Sequence, residues 1–110
     1  MSYDIKNSGN NIIHESGMSR EDKSDKIDYT LCYLPLLDRW ASWMTKGGKI
    51  HGKENWMKAN SPEEEREAIT SLWRHFRAFI DDKQDEDHAA AMFFNICLIE
   101  HIRSKHEEGE

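Results

Sequence analysis

The sequence predicts an all-α fold, a small antiparallel helical bundle completed by oligomerisation and preceded by a flexible N-terminal arm. Three observations predict it. Apolar residues recur at three- and four-residue steps in the segments around residues 36–44 and 69–80, the spacing that lays a stripe along one helix face. Helix start and stop signals bracket those segments. A third segment is apolar on more than one face, so it must be buried on several sides, and three helices cannot easily cover it. The chain has 110 residues, is 33% charged and 37% hydrophobic, and contains four tryptophans. That suffices for one domain with a modest core, and self-association is a common remedy for a modest core. Trp40, Trp43, Trp56 and Trp73 need more apolar surroundings than one thin helical layer supplies.

Residues 1–25 are polar, rich in Asn, Ser, Asp, Glu and Lys, and interrupted by Ile5, Ile12 and Ile13. They read as a flexible arm that orders locally or on a neighbour, with residues 26–110 as the helical domain. The first helix is expected to start at Pro35, since proline suits the first turn. Its stripe is Leu36, Leu37, Trp40, Trp43 and Met44, and Gly47-Gly48 is expected to end it. A polar loop then covers residues 47–60, with Trp56 as its apolar anchor. The second helix has Ser61 as N-cap, Pro62 at the first position and Glu64 placed for a capping box. Its stripe is Ile69, Leu72, Trp73, Phe76, Phe79 and Ile80. An acidic turn follows, Asp81, Asp82, Asp85, Glu86 and Asp87, and Asp87 caps a third helix over residues 88–105.

The formal net charge of −6 argues against a duplex nucleic-acid binder, which needs a basic face. A phosphorylated small molecule remains compatible, because Mg²⁺ held by carboxylates can carry the positive charge. Cys32 and Cys97 fit no zinc spacing and read as reduced, core-filling thiols, the alternative being a disulfide. No apolar run reaches the roughly 18 residues of a membrane span, and the N-terminus lacks an apolar signal core, so the expected location is the cytoplasm.

Four constellations can carry chemistry. In the run Lys49-Ile50-His51-Gly52-Lys53-Glu54-Asn55-Trp56, the lysines and Asn55 can donate to phosphate oxygens and Trp56 offers a stacking face. The bland alternative is a tether with solvated lysines. Arg74 and Asp81 are seven residues apart, as are His75 and Asp82, so each pair shares a helix face. A histidine facing a carboxylate is a metal ligand, a general base or a simple ion pair. His88 and Asn95 project from one side of an otherwise apolar helix, marking either an internal hydrogen-bond network or a site. The acidic turn supplies Asp82, Asp85 and Asp87 as candidate Mg²⁺ ligands, or is simply a solvated turn.

Taken in order, Lys26-x-Asp28-Tyr29, Gly48-Lys49-x-x-Gly52-x-x-Asn55-Trp56, Arg74-His75-x-x-Ala78, His88 and Asn95 resemble the phage and bacterial dATP/dGTP diphosphohydrolase family, small helical proteins related to MazG-like nucleoside triphosphate pyrophosphohydrolases. The resemblance covers roughly residues 26–102. It implies a Mg²⁺-dependent cut between the α- and β-phosphates of a purine deoxynucleoside triphosphate. It further implies that Lys49, Asn55 and Trp56 line the nucleotide site, that Asp28 closes it, and that Arg74, His75, His88 and Asn95 face it as catalytic residues. The chain departs from the pattern where Asp82-Lys83 replaces a glycine–acid pair, and where Ala91 stands four residues before Asn95 in place of a second histidine. Two rival readings stand beside the enzyme. One is a non-catalytic protein that binds a nucleotide or a partner on the same scaffold. The other is a structural oligomer whose polar pairs are buried ion pairs.

Overall fold

Local signals set most element boundaries in the computed structural model, which describes residues 4–7, 9–22 and 25–107. The chain divides between Cys32 and Tyr33 into two units. In the first, strands β1 (Asn11–Ile13) and β2 (Ser19–Glu21) pair antiparallel, with Ile12 opposite Arg20. The connecting turn closes through the His14 N–H to the Met18 carbonyl at 2.8 Å. Gly17 supplies the left-handed conformation there, with φ +92°. The segment expected as a flexible arm thus carries a hairpin. Further along this unit a 3-10 turn, Tyr29–Leu31, is capped by the Asp28 carboxylate, which accepts from the Thr30 N–H at 3.0 Å.

The second unit holds helices α1 (Leu34–His51), α2 (Pro62–Ile80) and α3 (His88–Glu107), with a 3-10 turn at Asn55–Lys58. The expected all-α class therefore holds for this unit, and the small hairpin is the addition. Among the described residues, no helix is long and apolar enough to cross a membrane.

One expected boundary is corrected. α1 does not stop at Gly47-Gly48 but runs through both to His51, and Gly52 ends it with φ +98°. Glycine inside a helix costs about 1 kcal/mol relative to alanine, yet it adopts helical angles freely. Only the position that needs positive φ calls for glycine, and that is Gly52, whose N–H bonds the Gly48 carbonyl at 2.9 Å. Gly48 has a different use. A Cβ there would lie 3.5 Å from the Lys53 Cα, so the returning loop packs close against it.

α2 begins as expected. The Ser61 hydroxyl accepts from the Glu64 N–H at 3.1 Å, and the Glu64 carboxylate accepts from the Ser61 N–H at 3.0 Å. α3 begins at the Asp87 cap, where the carboxylate accepts from the Ala90 N–H at 3.1 Å. α3 is the central element, packed by α2, α1 and the 3-10 turn, which is where an apolar-all-round helix belongs. Its Ala90, Ala91, Ile99 and Ile102 form most of the buried apolar core. Large apolar side chains remain exposed on α2, with Trp73 at 65%, Phe76 at 40% and Ile80 at 60%. Both cysteines are free; Cys97 is half-buried, whereas Cys32 is exposed rather than core-filling.

Candidate functional site

The α1 extension and the loop behind it build one wall of a cavity of about 410 Å³. Trp43 and Lys46 come from α1, Lys53, Asn55 and Trp56 from the loop, Ser71 and His75 from α2, and Phe94 and Asn95 from α3. Three helices and a loop thus converge on one concave, mainly apolar space with a few polar groups, the usual form of a small-molecule site.

The loop is held by the far end of α3. Trp56 meets the His101 ring edge-on at 5.2 Å. The Lys105 ammonium donates to the Met57 and Ala59 carbonyls at 2.7 and 2.8 Å, and the His101 and His106 Nε2–H groups reach the Met57 and Asn60 carbonyls at 3.2 and 3.1 Å. Trp56 therefore both holds the loop and lines the cavity. Lys49 is exposed and lies outside the cavity lining, where Lys46 and Lys53 stand instead.

At the near end of α3, His88 is 7% exposed and Asn95 4%. The Asn95 amide donates to the Ala91 carbonyl at 2.9 Å and to the Ser71 hydroxyl at 3.3 Å. His88 Nε2 lies 2.8 Å from the Asp85 carboxylate, and His88 Nδ1 lies 2.9 Å from His75 Nδ1. Asp85 can only accept, so Nε2 carries the His88 proton. Across the pair of facing Nδ1 atoms one nitrogen donates and the other accepts, according to tautomer. Burial pushes the His75 imidazole below its usual range, Glu86 opposes this, and His88 and Arg74 add to it. The hydrogen bond from His88 holds the Asp85 carboxyl below the usual carboxylate range.

The expected carboxylate cluster does not assemble. Asp82 sits at φ +55° and accepts from the Gln84 amide at 2.7 Å. Asp85 serves His88. Asp87 takes a two-point bond from Arg39, with distances of 2.9 and 2.8 Å, and this bond holds the Asp87 carboxyl low. Among the described residues, the potential metal ligands that do converge are His75, Glu86 and His88, with one ligand atom from each lying within 4.8 Å of the others.

The helix-face pairings also change. Asp81 pairs with Arg77 at 3.0 Å, not with Arg74, and His75 pairs with His88, not with Asp82. Arg74 lies apart from the cavity, beside Glu63, Arg66, Glu67 and Thr70, because neighbouring helix residues point about 100° apart and His75 takes the inward direction. Asp28 belongs to the first unit as the cap already described. Sequence reasoning left Glu86 inside a generic acidic turn and did not single out Arg39, Ser71 or Lys46. Only Lys46 carries a sequence signal, one helical turn from Trp43.

A model of the family described as dATP/dGTP diphosphohydrolase, N-terminal, matches residues 16–110. No curated protein and no solved structure matches the chain.

Proposed function

The chain belongs to the dATP/dGTP diphosphohydrolase N-terminal family, and on that premise we propose that it hydrolyses purine deoxynucleoside triphosphates to the monophosphate and pyrophosphate. The observation that carries this reading is the cavity that combines two indoles, two lysines, Asn55, His75 and Asn95. Trp43 and Trp56 offer apolar surface to a purine, Lys46 and Lys53 offset phosphate charge, and the amides fix orientation. Water attacks phosphorus, the bond between the α- and β-phosphates breaks, and pyrophosphate leaves. Of the residues expected to be catalytic, His75 and Asn95 contact the reacting phosphates in this reading. His88 acts through His75 as a positioning residue, and Arg74 has no role in it.

Mg²⁺ demands octahedral oxygen ligation. Asp82, Asp85 and Asp87 each have a separate partner, and the convergent donors are two nitrogens and one carboxylate, so these residues do not fit a protein-held Mg²⁺. Mg²⁺ would instead accompany the triphosphate as part of the substrate, offsetting phosphate charge there. A homo-oligomer in the cytoplasm completes the proposal, supported by the exposed Trp73, Phe76 and Ile80 face of α2.

The second reading is a nucleotide binder without turnover. Ala91, 1% exposed where the family resemblance expects histidine, favours it. Incubation with dATP or dGTP and Mg²⁺ decides. Pyrophosphate release supports hydrolysis, a raised melting temperature without release supports the binder, and neither response rejects both.

A further inference from the structure

We propose that His75, Glu86 and His88 form a site for one divalent transition-metal ion of the zinc class, which prefers nitrogen ligands, rather than for Mg²⁺. The two imidazoles come from different helices, α2 and α3, and point the same ring atom at each other, Nδ1 to Nδ1 at 2.9 Å. Two nitrogens bound at about 2.0–2.1 Å to one tetrahedral ion are about 3.3 Å apart. The observed pair is therefore a few tenths of an ångström from that spacing, and a small ring rotation closes the difference. The ion takes the place of the proton that the two nitrogens share, and that proton passes to solvent.

The donor chemistry selects the ion. Imidazole nitrogen suits zinc, cobalt, nickel, copper and iron, whereas magnesium is held by oxygen. Glu86 adds one carboxylate and is exposed, so the third ligand approaches from the solvent side. Three protein ligands leave a coordination position open for water or a substrate oxygen.

An independent feature also points to a ligand. Metal-bound histidines almost always donate the opposite ring N–H to a carboxylate or carbonyl, which fixes the tautomer and turns the lone pair towards the ion. His88 does so already, with Nε2–H on Asp85 at 2.8 Å, while its ring is 7% exposed. His101 and His106 also place Nε2 on backbone carbonyls, but among the described residues neither converges with two further ligand groups.

The test uses the full chain without an affinity tag, stripped with EDTA, and contains no nucleotide. Its failure is thus separable from failure of the diphosphohydrolase reading. Titration with Co²⁺ is expected to give a visible absorption band that saturates at one ion per chain. Zn²⁺ displaces the band, and Mg²⁺ in large excess does not. Glu86→Gln and His75→Ala, with folding checked by circular dichroism, each weaken binding by about 100-fold or more, and Asp85→Asn by about 10-fold to 100-fold. His14→Ala, in the hairpin turn, changes nothing. The site is overturned by absence of the band, by displacement with Mg²⁺ at concentrations comparable to Zn²⁺, or by unchanged affinity in both Glu86→Gln and His75→Ala.

Discussion

The two ends of α3 use histidine in opposite ways. At its start, His88 faces another imidazole and leans on Asp85, so ring nitrogens converge. At its end, His101 and His106 donate to carbonyls of the chain preceding α2, alongside Lys105. The first arrangement gathers lone pairs and is suited to chemistry. The second satisfies main-chain carbonyls of the loop and is suited to fixing it. Residue type alone does not separate a site from a tether. What separates them is whether the partner atom is another donor of electron pairs or a main-chain acceptor. The ends are also linked, because the anchored loop brings Lys53, Asn55 and Trp56 to the cavity that His75 lines.

That contrast can be broken at either end. The largest effect is expected at the start of α3. His75→Ala should lower pyrophosphate release by about 100-fold or more while the melting temperature barely moves, because the ring is only partly buried. A matching loss of stability would instead make the histidine pair a core network. At the other end, Lys105→Met removes two charge-assisted bonds to Met57 and Ala59 and is expected to cost about 1–2 kcal/mol of stability. It should weaken nucleotide binding more than it slows turnover of bound nucleotide. A large fall in kcat with unchanged KM would contradict the tether role.

Smaller effects sharpen the same contrast. Ser61→Ala dismantles the capping box beside the anchored loop and should cost about 1 kcal/mol, read as a shift of the denaturant midpoint. Arg39→Gln breaks the two-point bond to Asp87. The pair is partly exposed, so a loss of stability smaller than that of Ser61→Ala is expected, with little effect at the loop. The smallest is a pH effect. Backbone and hydroxyl donors of Asn60 and Ser61 hold the Glu64 carboxyl below its ordinary value of 4.5. Its stabilising contribution is therefore fully present above that value and is lost as pH falls through the lower folded value. Glu64→Gln should flatten this part of the acid-stability profile, and an unaltered slope would remove Glu64 from it.

Much of the fold was legible because its signals are local. Ser61, Pro62 and Glu64 specify a helix start through atoms within four residues of one another, and Asp87 does the same for α3. The all-round apolarity of residues 89–102 marked the central helix. The end of α1 was misread because three glycines occur within six residues, and only backbone conformation tells a tolerated glycine from a required one. The hairpin was missed because its strands are three residues each, too short to show alternation. At the site, the loop, His75, His88 and Asn95 were legible as polar groups in apolar or ordered surroundings. Arg39 was not, since its partner Asp87 is 48 positions away.

By itself the sequence determined where the helices of the second unit begin, which of them lies at the centre, and which family the motif order resembles. These depend on nearest-neighbour sterics, capping and the amount of apolar surface, all of which can be read along a line. Only the tertiary structure decided which polar residues meet. A seven-residue spacing places two side chains on one helix face without saying which face turns inward. The rotation of α2 against α3 chose His75 over Arg74, and it left Glu86 rather than Asp82, Asp85 or Asp87 to join His75 and His88.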